Sequence, residues 1–303
     1  MFKNHKKIII GSRASPLAKK QVEIFKKESL KINNKLNFET KLINTIADKI
    51  LDKKLNELGN KSLFTKEIDK DQIARKIDIS IHSLKDLPYN LCKGLKVAGY
   101  LKREDCRDVI YSKNARSLMD IKKNALVGTS SLRRELQLKN LRPDLKFELI
   151  RGNVETRIKK VLDGDYDATI LAYAGLNRLG IKDNFFPLDI SEMVPAVGQG
   201  AIAVVCREQD TKNENLAKEI THDSTKQIVE CERKFLMALE GNCETPIGAN
   251  AIYLDNNIIL NYFISDRNGN FFKKEKLIFP SEQAIKECLK LGRNLKKILS
   301  KYD

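Results

Sequence analysis

The chain has 303 residues, enough for about two domains and compatible with three. Its 42% hydrophobic and 32% charged residues are typical of a globular protein and exclude a disordered or fibrous class. The 56 Lys and Arg outnumber the 40 Asp and Glu, and this net charge of +16 indicates an acidic partner: nucleic acid, an anionic membrane surface or a polyanionic small molecule.

Short apolar runs alternate with amphipathic helical patterns, which is typical of α/β architecture with largely parallel sheets. The predicted strands are residues 7–10, 38–42, 77–82, 126–128, 147–150, 168–172 and 201–206. Between the first strand and the next helix, Ser15 suits the N-cap and Pro16 the first helical position. In open α/β sheets, ligands bind beyond the carboxyl ends of the strands, so these ends are candidate sites.

The last third of the chain has a different pattern. Ser224 and Gln227 match a capping box at the start of a helix that Gly241 would stop. Residues 249–254, 258–264 and 271–279 predict three antiparallel strands, separated by Asn- and Asp-rich turns. A helix over about residues 281–299 would complete a small α/β domain.

The six cysteines show neither Cys-x-x-Cys spacing nor a cluster with histidine, so we expect reduced thiols and no metal. No apolar stretch approaches the roughly 20 residues of a membrane-spanning helix. The apolar run 8–10 is too short for a signal peptide, so we expect a cytoplasmic protein. The segment 195–201 is rich in glycine but matches no dinucleotide or P-loop motif, so we expect neither NAD nor ATP.

Seven cations lie at or near βα turns, where helix N–H groups add affinity for anions. They are Arg13, Lys61, Lys85, Arg133, Arg134, Arg151 and Arg157. A guanidinium fork fits a carboxylate, so several together could hold a substrate with many carboxylates. The alternative for any one of them is a surface charge or a partner of a nearby acid.

Two further residues are candidates for chemistry. Asp86 follows a predicted strand beside Lys85 and could steady a developing cation or move a proton; alternatively it is a turn residue. His82, without a matched nucleophile, is interpreted as structural. Cys243 lies in a Gly-, Asn- and Pro-containing loop, which makes it the best candidate for a covalent role, or else a loop thiol without function.

Together these segments resemble the porphobilinogen deaminase (hydroxymethylbilane synthase) family, in its order and spacing along nearly the whole chain. The matching segments are residues 12–18, 61–67, 82–88, 103–108, 128–134, 151–154 and 195–201, and the Cys243 loop. The chain departs from the family pattern at Thr45-Ile46-Ala47-Asp48, Glu57, Asn60, Ser62 and Asn242.

The resemblance implies a transferase of tetrapyrrole biosynthesis that joins four porphobilinogen units head to tail with loss of ammonia. The linear product, hydroxymethylbilane, is released by hydrolysis. The chain grows on a dipyrromethane cofactor held by a thioether to a cysteine that matches Cys243. The family's catalytic aspartate matches Asp86, which by analogy stabilises a cationic azafulvene-type intermediate.

The resemblance also implies the other site residues. Those expected to bind the cofactor are Lys61, Lys85, Thr129, Ser130, Ser131, Arg133, Arg134, Gly152 and Asn153. Those expected to bind substrate are Arg13, Ser15, Arg151, Arg157, Arg178 and Gln199.

By the same resemblance, three α/β domains are expected: residues 1–101 plus 195–218, residues 102–194, and residues 219–303. The first two would be similar to type II periplasmic-binding-protein domains with the growing chain in the cleft between them. The third would carry the cofactor loop and an antiparallel three-stranded sheet. A monomer without nucleic-acid or membrane partners is expected.

Two rival functions are also compatible with the sequence. A non-catalytic anion-binding protein could use the same scaffold, although Asp86 and Cys243 together count against it. Nucleic-acid binding would explain the net charge, but the lysines are scattered and few aromatic residues are interleaved with them.

Overall fold

The computed structural model describes residues 7–45, 64–241 and 245–302. Its strands there are β1 (Ile8–Arg13), β2 (Phe38–Ile43), β3 (Ile79–Ser83), β4 (Leu95–Tyr100), β5 (Asp108–Tyr111), β6 (Leu126–Gly128), β7 (Lys146–Glu148), β8 (Ala168–Ala172), β9 (Phe185–Pro187), β10 (Ile202–Arg207), β11 (Ile247–Leu254), β12 (Asn257–Ser265) and β13 (Phe272–Pro280). Its α-helices are α1 (Pro16–Ile32), α2 (Lys66–Ile73), α3 (Leu132–Leu141), α4 (Val154–Asp163), α5 (Tyr173–Leu179), α6 (Thr211–Glu219), α7 (Asp223–Ala238) and α8 (Ala284–Leu299). The predicted α/β class is confirmed.

The chain divides into two compact units. The described residues of the first are 7–45, 64–103 and 201–226, and those of the second are 104–200, 227–241 and 245–302. The three-domain division stays a prediction.

The first unit is built on a five-stranded sheet in the order β2-β1-β3-β10-β4. Strands β1, β2 and β3 are parallel, whereas β10 runs antiparallel to both of its neighbours, β3 and β4. The parallel pairing brings the carboxyl ends of β1 and β3 to one edge of the sheet. Arg13 ends β1 and Ser83 ends β3, so both lie at this edge.

Helix α1 begins as its sequence predicts. Ser15 is the N-cap, its Oγ accepts a hydrogen bond from the Ala18 backbone N–H at 3.3 Å, and Pro16 occupies the first turn. The buried side chains of Val22 and Phe25 lie in one core with the apolar residues of the sheet. The N-terminus of α1 is thereby fixed next to the carboxyl end of β1.

The second unit contains a five-stranded sheet of the same design, in the order β7-β6-β8-β5-β9. Strands β6, β7 and β8 are parallel, and β5 is antiparallel to its neighbours β8 and β9. In each five-stranded sheet, the strand in fourth place thus runs antiparallel to the other four.

A separate sheet, β11-β12-β13, is fully antiparallel, and this confirms the predicted meander. Tyr262 packs against Phe235 of α7 in the core beneath it, with 5.4 Å between ring centroids. The prediction of a capping box at Ser224 is wrong. Helix α7 begins one residue earlier, and His222 Nδ1 accepts from the Thr225 N–H at 3.2 Å, because the imidazole precedes the first turn and reaches that donor.

Candidate active site

The candidate site in the first unit is a recess at the carboxyl edge of β1 and β3. Polar side chains in its wall are those of Arg13, Ser15, Gln21, His82, Ser83 and Asp86, and apolar ones include those of Leu17, Phe64 and Ile81. The structure therefore brings together Arg13, Ser15 and Asp86, three of the residues that were expected to act on substrate.

Arg13 and Asp86 lie side by side in the recess. The Arg13 Nη1 and Asp86 Oδ2 atoms are 4.0 Å apart, and their side chains are 23% and 29% exposed. The Arg13 guanidinium also covers the Phe64 ring, with 4.8 Å from Cζ to the ring centroid, a distance at which cation–π attraction holds the cation in place. The pair can bind an anionic group and a cationic centre of the same ligand.

A short 3₁₀ turn, Leu84–Asp86, carries both Lys85 and Asp86. Leu84 is buried, and its backbone N–H donates to the Ala201 carbonyl at 3.0 Å. Because Leu84 anchors the turn, Lys85 and Asp86 project from a fixed backbone at the end of β3. Gln21 Nε2 donates to Ser83 Oγ at 2.6 Å and ties α1 to the same turn.

In the second unit, Arg133 and Arg134 at the start of α3 converge on Asp108 of β5. Arg133 Nη1 donates to Asp108 Oδ2 at 2.8 Å and to the Val194 carbonyl at 2.6 Å. Arg134 donates to Asp108 Oδ1 through Nε at 3.1 Å and Nη2 at 2.8 Å. The carboxylate is fully buried and the two arginines are 5% and 7% exposed.

Burial raises the pKa of Asp108, but the charges of Arg133 and Arg134 more than offset it and hold the pKa below its usual value. Asp108 thus remains a carboxylate whose two cationic neighbours are desolvated. Arg133 keeps hydrogen-bonding capacity, because its Nε and Nη2 atoms have no partner among the described residues.

We expect Asp108→Asn to lower the free energy of unfolding by about 3–5 kcal/mol, because both buried guanidinium groups would lose their negative partner. Urea unfolding at neutral pH measures the change. The stabilisation from Asp108 should be present at neutral pH and lost as the pH falls below its unfolded pKa of about 4, because its folded pKa is the lower one.

The matched control for Asp108→Asn is Asp144→Asn. Asp144 pairs with Arg142 at 2.7 Å, but the two side chains are 24% and 14% exposed. Asp144→Asn should therefore lower the free energy of unfolding by about 1 kcal/mol or less. Equal losses in the two variants would contradict the importance of the buried pair.

The turn before α3 contains the predicted residues Thr129, Ser130 and Ser131. Thr129 Oγ1 accepts from the Ser131 N–H at 3.1 Å, which shapes the turn. Ser131 is the N-cap, yet its side chain makes no capping hydrogen bond. The first N–H groups of α3 thus keep capacity for an anion.

Four other predicted residues lie at the start of α4. Asn153 is the N-cap, and its Oδ1 accepts from the Thr156 N–H at 2.8 Å. Gly152 has φ of +113°, and a Cβ there would lie 2.7 Å from Thr156, so the turn requires glycine. Arg157 Nε donates to the Gly152 carbonyl at 2.9 Å, and Arg151 is 8% exposed. The turn is ordered by its own hydrogen bonds.

Arg178 and Gln199 have partners within the second unit. Arg178 donates to Glu104 Oε1 at 2.7 Å and to the Gly200 carbonyl at 2.6 Å. Gln199 is buried, and its Nε2 donates to Asp108 Oδ1 at 2.9 Å. Gln199 therefore joins the Asp108 cluster, whereas Arg178 holds the segment 195–201. Their roles toward substrate stay predictions.

Lys61 and Cys243 lie outside the described residues. The departures from the family pattern that lie with them are Ile46, Ala47, Asp48, Glu57, Asn60, Ser62 and Asn242.

A larger cavity, about 610 Å³, opens at the opposite edge of the first sheet. Its wall includes Lys7, Arg75, Asp78 and Arg207, at the beginnings of the parallel strands and the end of β10. No predicted site residue lines it. Because ligands of such sheets bind at the carboxyl edge, we assign the site to the smaller recess.

Phe64, Gln21 and Asp108 were not among the predicted site residues. The sequence does contain an indication for Asp108. It begins an apolar strand, where a buried charge requires charged or hydrogen-bonding partners. Phe64 and Gln21 gave no comparable signal, because their role comes from contact with residues distant in sequence.

Within the described ranges, no group of three or more His, Cys, Asp or Glu could hold a metal ion. Nor does any helix there combine the length and apolarity needed to cross a membrane.

Comparison with known proteins gives the family. Residues 8–215 match the model described as porphobilinogen deaminase, dipyromethane cofactor binding domain, and residues 226–301 match the porphobilinogen deaminase C-terminal domain. The porphobilinogen deaminase of Chlorobium luteolum is 42% identical over 307 residues, covering 97% of each chain. That of Oceanobacillus iheyensis is 44% identical over 273 residues, covering 89% of this chain and 88% of its own.

Among solved structures, an ancestral cationic amino acid solute binding protein is similar with a TM-score of 0.45 and 14% identity, covering 73% of this chain and 89% of that one. The two family models span most of the sequence, and the relatives match it nearly from end to end. The chain therefore belongs to the porphobilinogen deaminase family.

Proposed function

We propose that the protein is a transferase of tetrapyrrole and haem biosynthesis. It joins four porphobilinogen units head to tail, with loss of one ammonia at each step, and releases hydroxymethylbilane by hydrolysis. The observation that carries the proposal is the pairing of Arg13 and Asp86 in one recess of a chain that belongs to this family.

The charges of the recess suit this substrate. Each porphobilinogen carries an acetate and a propionate, and the Arg13 guanidinium can hold a carboxylate through paired hydrogen bonds. When the C–N bond of the aminomethyl group breaks and ammonia leaves, positive charge develops on the pyrrole. Asp86 stabilises that charge, and it assists proton loss from the ring carbon that forms the new C–C bond. Ser15 would contact the same substrate.

A dipyrromethane cofactor, bound by a thioether to Cys243, would supply the primer ring to which the first unit is joined. The second unit fits such a polycarboxylate, since Arg133 has unpaired donors and the N-terminus of α3 has an uncapped first turn. The residues proposed to hold it are Lys61, Lys85, Thr129, Ser130, Ser131, Arg133, Arg134, Gly152 and Asn153.

The remaining cations would neutralise the growing chain. Arg151, Arg157 and Arg178, with Gln199, are proposed to contact substrate rings as carboxylates accumulate. The protein would work as a cytoplasmic monomer of three domains, with porphobilinogen and the polypyrrole chain as partners and neither nucleic acid nor membrane.

Ammonia release tests the proposed reaction. The purified protein, incubated with porphobilinogen, should release one ammonia for each porphobilinogen consumed and form hydroxymethylbilane. This product cyclises with loss of water to a uroporphyrinogen, and added iodine then oxidises it to a uroporphyrin that absorbance detects. A non-catalytic anion-binding protein would retain porphobilinogen without releasing ammonia, and that result would overturn the proposal.

A further inference from the structure

Three buried polar side chains, hydrogen-bonded in series, lead into the recess. Gln72 of α2 and Ser80 of β3 are fully buried, and His82, two residues along the same face of β3, is 5% exposed. Ser80 Oγ lies 2.8 Å from Gln72 Oε1 and 2.9 Å from His82 Nε2.

Gln72, at the end of this series of side chains that lies away from the recess, fixes the direction of each hydrogen bond in the series. Gln72 Nε2 donates to the carbonyls of Val205 at 2.8 Å and Asp78 at 3.2 Å. Two carbonyl acceptors hold the amide with its nitrogen toward them, so Gln72 Oε1 faces Ser80 and requires a donor. The Ser80 hydroxyl has one hydrogen, which it gives to Gln72.

Ser80 Oγ must then accept from His82, so the imidazole proton is on Nε2. The lone pair is consequently on Nδ1, and this atom has no hydrogen-bond partner among the described residues. Burial, together with the nearby charge of Arg13, lowers the pKa of His82 to about 4, so the ring is neutral at physiological pH. His82 thus presents a neutral acceptor of defined orientation.

We propose that His82 Nδ1 accepts a hydrogen bond from an N–H group of the bound aminomethylpyrrole and orients its ring. This inference rests on the proposed function. His82 lines the recess together with Arg13 and Asp86, the charged groups of its wall. A neutral acceptor can orient an N–H donor without neutralising the Arg13 charge that a substrate carboxylate requires.

Two isosteric variants separate this role from a structural one. In His82→Gln the side-chain amide can replace Nε2 and donate to Ser80, but the Nδ1 acceptor is lost. In His82→Asn the amide oxygen can replace Nδ1, but the donor to Ser80 is lost.

We expect kcat/KM for porphobilinogen to fall about fivefold in His82→Gln, mostly through KM, and by about twofold or less in His82→Asn, since one hydrogen bond contributes about 1 kcal/mol. The melting temperature should follow the opposite order, with His82→Asn the lower, because it leaves Ser80 without its donor. If His82 is only structural, both the activity and the melting temperature will be higher in His82→Gln than in His82→Asn, and the proposal is wrong.

Nitrogen-15 NMR of the free and substrate-bound protein supplies a test independent of turnover. The chain has three histidines, and the signals lost in His82→Gln identify His82. We expect a protonated Nε2 and an unprotonated Nδ1 in the free protein, and an upfield shift of Nδ1 when porphobilinogen binds. A protonated Nδ1 in the free protein, or an Nδ1 signal that substrate does not move, would overturn the proposal.

An analogue with methyl in place of the aminomethyl group identifies the donor. If it also moves the Nδ1 signal, the pyrrole N–H is the donor; if only porphobilinogen does, the ammonium group is. Wild-type protein that releases no ammonia would refute the proposed function, whereas the NMR signals of free His82 would still test the imidazole orientation.

Discussion

Cys243→Ala should carry no pyrrole adduct, whereas wild-type protein should be heavier than its sequence by two pyrrole units. The reason is chemical, since a thioether requires the sulfur that alanine lacks. Without a covalently held primer the growing chain has no anchor, so ammonia release should fall below detection. Intact-protein mass spectrometry and the ammonia assay measure the two effects.

The matched control is Cys92→Ala, which removes an exposed free thiol. It should keep both the adduct and the activity, because the resemblance assigns the thioether to Cys243 alone. An adduct that persists in Cys243→Ala, or disappears in Cys92→Ala, would place the linkage elsewhere.

Asp86→Asn should lower kcat by roughly 10²–10³-fold, the usual consequence of removing a group that stabilises transition-state charge. The amide keeps the size and hydrogen-bonding shape of the carboxylate but removes the negative charge that is proposed to stabilise the developing cation. Stability should hardly change, because the carboxyl is 29% exposed and its 4.0 Å contact with Arg13 is a loose pair. Steady-state kinetics and thermal unfolding measure both quantities.

Asp86→Glu provides the first control for this experiment. It restores the charge but displaces it by one methylene, so its kcat should lie between those of wild type and Asp86→Asn. Asp163→Asn, at a surface carboxyl that pairs with Lys159, should leave kcat unchanged. A near-normal kcat in Asp86→Asn would remove Asp86 from the mechanism.

Much of the fold could be predicted from local sequence, because most strands are apolar runs bounded by turns. The start of α1 is the clearest case, since Ser15 and Pro16 carry their own capping chemistry. Strand β4 was missed because Lys96 and Gly99 interrupt its apolar pattern. Gly99 is explained only by tertiary structure, since a Cβ there would lie 2.3 Å from the Ala217 carbonyl oxygen.

The candidate site was only partly predictable, because burial and pairing depend on partners far along the chain. Arg133 and Arg134 were expected as cations for carboxylate binding, and the sequence does not show that Asp108 lies between them. His82 was interpreted as structural for want of a nucleophile. Its orientation depends on Gln72, and nothing in the spacing of the two residues predicts that connection.

The position of β10 in the first sheet affects how the protein folds while the ribosome is still synthesising it. Strand β4 pairs with β10 and with no other strand of the described chain, and β10 is translated about a hundred residues later. Until then the nascent chain exposes an unpaired edge of β3, a template for association with other chains. A fragment that ends before residue 202 should therefore lack a finished first sheet, and its synthesis should depend on chaperones more than that of the full chain.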